Sequence, residues 1–238
     1  MRKPCRLVTT LVVILASIIC SGLWLHPRMA TATAPASGTE DPWQLCRQEI
    51  TQIENEEHIP HQLLHAIAQV EAGRYSKEAA ATIAWPWTVM AEGRGRFLPT
   101  KQAAIAEVKR LRKAGVENID VGCMQVNLRA HLNAFANLEE AFDPATNVAY
   151  AARFLKSLRE QGRSWVKAVA NYHSATPKLH IVYRAKVFAA WRTERRRALE
   201  SDRLARRREQ AKQLVELQFS RTGPVGADEP YAAPGNGA

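Results

Sequence analysis

Glycine and proline are scarce in this 238-residue chain, at 12 each, which excludes a collagen-like or disordered polymer. With 46% hydrophobic and 24% charged residues, the composition fits one globular domain with extensions. Cysteine is rarer still. Cys5 and Cys20 fall in the N-terminal leader, leaving Cys46 and Cys123 as a single pair in the body. Two cysteines without suitably spaced histidines argue against a structural zinc site. No internal repeat is visible, and the one extended apolar run without a charge is Leu7–Leu25.

Charge is what the chain has in excess, with 33 Lys+Arg against 23 Asp+Glu for a net +10. Its placement is uneven. Residues 1–36 carry four basic groups and no acid, and residues 192–221 carry ten basic groups against five acids. Residues 37–191 hold 19 basic and 16 acidic groups, a nearly neutral body that argues against nucleic-acid binding over its surface.

Arg2, Lys3 and Arg6 precede the apolar run, and the small residues Ala30-Thr31-Ala32 follow it. That order is the pattern of a secretory signal peptide, with cleavage after Ala32. The same 19 residues would span about 28 Å as a helix, so an uncleaved membrane anchor is the alternative. Either way residues 1–32 export the body to the periplasm, residues 33–40 form a linker, and the folded domain covers residues 41–191. In an oxidising compartment Cys46 and Cys123 either pair as a disulfide or lie buried as two small apolar thiols.

The body reads as mainly helical with a small β wing, an α+β class. Asp41-Pro42 opens one helix, and Trp43, Cys46, Ile50 and Ile53 give it a buried face. Ile59-Pro60 opens a second helix that runs to Ala72. Trp85–Thr100 suggests a short hairpin or an irregular wing, Thr100–Ala114 an amphipathic helix, and Val116–Asn127 a short extended stretch. Helices then cover 144–161, 164–174 and 178 onward. Residues 192–220 continue as a charged, Arg-rich helical extension, and residues 221–238 form a disordered tail.

The chemistry is best sought on the second helix. Leu64, Ile67, Ala68 and Glu71 share one face, so a carboxyl closes an otherwise apolar stripe. Poor solvation disfavours its charged form and raises its pKa toward what a general acid needs. The plainer reading is a helix-end carboxylate, solvated or paired with Arg74 or Lys77. Two further segments bear on it. If Val121–Asn127 is extended, Cys123, Gln125 and Asn127 share a face, and two amides there suit hydroxyl and acetamido groups. Ala170-Asn171-Tyr172-His173 ends an apolar helix, where a tyrosine can put its hydroxyl into a cleft.

In order, IPHQLLHAIAQVE-x-G, G-C-M-Q-V-N, Phe142-Asp143-Pro144-x-x-Asn147 and A-x-A-N-Y-H-S-A resemble the lytic transglycosylase domain of the soluble (SLT) type over residues 43–191. The resemblance implies a lysozyme-like fold and cleavage of the MurNAc–GlcNAc β-1,4 bond of peptidoglycan, leaving 1,6-anhydro-MurNAc ends. It implies Glu71 as sole catalytic acid/base, Met124 and Gln125 as a cleft-lining pair and Tyr172 as the cleft tyrosine. Asn127 joins them as a substrate-binding amide. No metal or cofactor is implied. The family's usual Ser after the Glu is Ala72 here, Y-N-A-G reads Tyr172-His173-Ser174-Ala175, and the acid lies 51 positions before Gly122, more than is usual. The chain therefore resembles a divergent branch with an enlarged wing over residues 74–120. A muramidase-type hydrolase of the same fold and a non-catalytic wall-binding domain are the competing readings. The expected partners are peptidoglycan glycan strands, and an envelope-spanning secretion or flagellar assembly. Membrane contact through the N-terminal segment or the basic tail is a further expectation; nucleic acid is not.

Overall fold

The computed structural model describes residues 41–174 and 176–222. The leader, the linker and the tail beyond residue 222 lie outside the described residues. Helix α1 (Pro42–Glu56) starts where Asp41 caps the Trp43 N–H and Pro42 occupies the first turn. Its Cys46 and Ile50 are buried, and Trp43 and Ile53 are half-buried.

Helix α2 (Leu63–Ala72) begins three residues later than the Ile59-Pro60 signal suggests. Gln62 adopts a left-handed φ of 67°, which breaks the run, and no side chain of its own segment caps the helix. The carboxylate of Glu54 does so from α1, accepting the N–H groups of Gln62 and Leu64 at 2.7 Å each. A buried carboxylate thus faces the positive end of α2. Burial pushes Glu54 up to about 7, against those backbone donors, which pull it down.

Helix α2 ends where Gly73 turns to an extended conformation, and only glycine fits there, since a Cβ would lie 2.2 Å from the carbonyl oxygen of Gln69. The chain turns directly into a hairpin, β1 (Gly73–Ser76) with β2 (Ala81–Ala84). Its Ala-rich sequence offers little strand signal. The expected wing hairpin follows as β3 (Thr88–Ala91) and β4 (Arg94–Phe97), joined through Glu92 and Gly93, both at positive φ. Arg74 lies over Trp85 at 4.4 Å and Trp43 at 5.1 Å, tying the hairpin to the start of α1.

Thr100 caps α3 (Lys101–Lys113), whose Ala104, Ile105, Val108 and Leu111 are buried as the periodicity requires. The expected extended stretch is two short strands, β5 (Ile119–Val121) and β6 (Val126–Asn127), separated by a tight turn. Gly122 at φ 83° and Gln125 at φ 47° make that turn. Alternation does not run through it, so Cys123, Gln125 and Asn127 do not share a strand face. The sheet order is β4-β3-β5-β6, all antiparallel. Val89, Val108, Leu111, Ile119 and Phe142 form the core of this wing, which is separate from the main helical core.

After a single-turn helix, α4 (Leu138–Ala141), Asp143 caps α5 (Pro144–Gly162) and Ser164 caps α6 (Trp165–His173). Helix α7 (Pro177–Thr222) is continuous across the expected domain end at 191. Buried Tyr183, Val187 and Glu194 mark its packed stripe, and Glu194 accepts from Arg197 at 2.8 Å and Arg47 at 3.4 Å. From Leu199 to Arg221 every residue is exposed, consistent with a solvated helical extension. A helical body with a small sheet-bearing wing is the expected α+β class.

Candidate active site

Between the helical body and the wing lies a cleft of about 680 Å³. Glu71, on the last turn of α2, lines it together with Asp120, Gln125, Tyr172, His173 and Tyr183. The apolar stripe beneath Glu71 is intact: Leu64, Ile67 and Ala68 are fully buried. Burial pushes the Glu71 carboxyl from about 4.5 up to about 7; Tyr183 opposes this by hydrogen bonding, and the charge of Asp120 adds to it. Glu71 does not pair with Arg74, which is committed to the aromatic rings. Its partner is the hydroxyl of Tyr183, which donates to Oε1 at 2.6 Å.

Tyr183 carries no mark in the sequence reading. The hydrogen bond spans 112 positions, and no local pattern announces a contact of that range. One signal was available: Tyr183 and Val187 fall four apart on the buried stripe of the last helix, and a buried tyrosine hydroxyl needs a partner. His173 stacks on the same ring, with centroids 4.9 Å apart and planes 14° apart. Tyr172 lines the cleft, and its hydroxyl donates to the carbonyl of Met124 at 3.0 Å.

The G-C-M-Q segment arrives in the cleft through the turn between β5 and β6. Asn147 holds that turn: its Nδ2 donates to the carbonyls of Val121 (3.1 Å) and Ala141 (2.9 Å), and its Oδ1 accepts from Met124 N–H (2.9 Å). A Cβ on Gly122 would lie 2.4 Å from Asn147 Nδ2. The two motifs therefore need each other physically. Met124 has no exposed surface and its side chain belongs to the main core, so it supports the cleft from below and does not line it.

Gln125 does line the cleft. Its Nε2 donates to the carbonyls of Thr88 (3.1 Å) and Gly122 (2.9 Å), while its buried Oε1 has no partner. That oxygen is an acceptor awaiting a donor. Asn127 is occupied differently. Its Nδ2 donates to Asn118 Oδ1 and Asp120 Oδ1, both at 2.7 Å, and its Oδ1 accepts from Arg129 and Ala130 N–H. All four hydrogen-bonding positions of that amide are used within the protein. Asn127 nevertheless lines the cleft beside Asp120, although the turn breaks the strand alternation that pointed to it.

Cys46 on α1 and Cys123 in the turn form a disulfide, with Cα atoms 5.7 Å apart. Among the described residues no group of His, Cys, Asp and Glu is arranged to hold a metal ion. The family model "Transglycosylase SLT domain" matches residues 48–182. No curated protein and no solved structure matches the chain.

Proposed function

The chain belongs to the transglycosylase SLT family, a lysozyme-like fold whose members act on peptidoglycan, and from that premise we propose that it is a lytic transglycosylase using Glu71 as its single acid/base to cleave the MurNAc–GlcNAc β-1,4 bond. The observation that carries this reading is the state of Glu71: a carboxyl in a cleft between helical body and wing, raised to about 7 and hydrogen bonded by Tyr183. A carboxyl with that pKa is still protonated in good part at neutral pH and is a strong enough acid to give the proton up.

The steps follow from one group. Glu71 donates its proton to the glycosidic oxygen, the bond to C1 breaks, and positive charge spreads over C1 and the ring oxygen. The carboxylate left behind is stabilised by the Tyr183 hydroxyl. It then takes the proton of the muramyl C6 hydroxyl as that oxygen closes on C1, giving the 1,6-anhydro end. The nucleophile is part of the same sugar, so its attack carries the advantage of an intramolecular reaction. Gln125 lines the same cleft, and its unpartnered Oε1, buried in this structure, would accept from a sugar hydroxyl or acetamido N–H on turning toward the glycan.

We place this activity in the periplasm, where the leader pattern of residues 1–32 would deliver it. Among the described residues no helix is long and apolar enough to cross a membrane. Local wall opening would serve an envelope-spanning secretion or flagellar assembly. Membrane contact through the N-terminal segment or the basic face of α7 would keep the domain near such an assembly. Mass spectrometry of peptidoglycan digested by the full chain tests the reading. Anhydro-muramyl products that vanish in Glu71→Gln support it, and undiminished cleavage by a folded Glu71→Gln overturns it.

A further inference from the structure

A transglycosylase that closes the sugar on itself needs no second carboxylate, yet the cleft contains one. Asp120 sits on β5, in the middle of the wing sheet, with Met90 of β3 as its neighbour on one side and Asn127 of β6 on the other. It lines the same cleft as Glu71. Its charge acts on Glu71, Tyr172 and His131, and the charges of His173 and His131 act on it, so it is coupled to the polar groups of the cleft.

The carboxylate is also held in a particular way. Asn127 Nδ2 donates to Oδ1 at 2.7 Å, and Asn127 is itself fixed by two backbone N–H groups and by Asn118. Asp120 Oδ2 has no hydrogen-bond partner among the described residues. One oxygen is thus clamped by an amide whose other positions are all bonded within the protein, and the other is available to the cleft. Among the described residues Asp120 has no ion pair either, so it is not an ordinary salt-bridge acid there. Burial raises its carboxyl above the usual range, and the Asn127 N–H and the two histidines hold it back toward ionisation.

We propose that Asp120 is a second catalytic residue, a general base that activates water and gives the enzyme a hydrolytic branch beside the anhydro-forming one. The inference rests on Glu71 as the acid. In this branch Glu71 protonates the glycosidic oxygen and the C1–oxygen bond breaks. Asp120 takes a proton from a water molecule, whose oxygen bonds to C1. The products are a GlcNAc with a free 4-hydroxyl and a MurNAc with a reducing end. Glu71 ends ionised and Asp120 ends protonated, and exchange of one proton through solvent restores both. Asn127 is a positioning residue that keeps Oδ2 turned into the cleft.

The test is the ratio of reducing to anhydro MurNAc ends released from peptidoglycan by the full-length protein. Borohydride reduces only the former, and mass spectrometry separates the two by one water. Wild type is expected to give both. Asp120→Asn keeps the size of the side chain and an oxygen for Asn127 to bond, but cannot act as a base. It is expected to lower the ratio about a hundredfold, the usual scale of general-base catalysis. Asp120→Ser, equally unable to accept the proton, is read the same way if the Asn variant does not fold. A wild type that forms only anhydro ends, or a ratio unchanged in a folded variant, overturns the assignment of Asp120. Failure of the underlying reading looks different: there Glu71→Gln would still release either product. Both products lost in Glu71→Gln, with the ratio shifted in Asp120→Asn, supports the two residues together.

Discussion

The hydroxyl of Tyr183, on the last helix, donates to Oε1 of Glu71, on the second, across 2.6 Å. This bond favours the ionised carboxyl, while the surrounding burial favours the neutral one. Glu71 is thereby kept from becoming too weak an acid to give its proton up. The last helix is part of the site as well as part of the scaffold.

Tyr183→Phe removes the bond and keeps the ring on which His173 stacks. Loss of a donor that stabilises the carboxylate raises the Glu71 pKa. The reaction starts from the protonated acid, so the alkaline limb of the pH–rate profile is expected to move up by about one unit, the equivalent of one hydrogen bond to a charged group. The maximal rate is expected to fall about tenfold, because the carboxylate formed on proton transfer has lost its partner. A profile unmoved by the substitution would show that the bond does not set the acidity of Glu71.

Glu71→Gln should change stability in a pH-dependent way. The folded-state pKa of about 7 lies above the ordinary value of about 4.5, so the folded protein holds this proton more tightly than the unfolded chain. The stability contributed is complete below about pH 4.5 and is lost as pH rises through 7. Gln has no such proton, so the variant is expected to gain on wild type over that window by about 3 kcal/mol, the linkage value of a rise from about 4.5 to about 7. The raised carboxyl of Glu54 is present in both proteins and cancels. Urea denaturation of both proteins at pH 4 and pH 8 measures the difference.

What was legible in the sequence was local or ordered. The apolar stripe under Glu71, the Gln125 that faces the cleft and the Tyr172 that borders it all follow from short-range pattern or from the order of motifs. Three things were not legible, each for a physical reason. A shared face for Cys123, Gln125 and Asn127 was read from strand alternation, and a positive φ at Gly122 and at Gln125 broke that alternation. Met124 was assigned to the cleft, whereas Asn147 grips its N–H and turns its side chain into the core. The start of α2 was read from Pro60, but its cap is Glu54, a residue of the preceding helix.

The coupling of Gly122 to Asn147 can be measured. Gly122→Ala adds a Cβ where only 2.4 Å is open, at a φ of 83° that alanine disfavours, and is expected to cost about 3 kcal/mol. Asn147→Ala strands the carbonyls of Val121 and Ala141 and the N–H of Met124, at a cost of about 3–5 kcal/mol. The methyl that displaces the Asn147 amide already breaks those bonds, so the double variant should lose less than the two costs combined, by at least about 1 kcal/mol. Strict additivity in denaturant unfolding would mean that the two motifs are independent.

The disulfide gives the same turn a second restraint. It closes a loop of 77 positions between α1 and the segment that presents Gln125, so the entropy it removes from the unfolded chain corresponds to about 4 kcal/mol. Reduction is expected to lower the unfolding free energy of the wild type by that amount, and its urea midpoint with it, while a Cys46→Ala/Cys123→Ala variant should be insensitive to reductant and as unstable as the reduced protein. Activity should fall with it at temperatures where the reduced protein still folds. The turn would then be held by hydrogen bonds only, chiefly those of Asn147 and Tyr172, and Gln125 would lose part of its fixed position in the cleft. A wild-type midpoint indifferent to reductant would show that the bond adds nothing to the fold in solution.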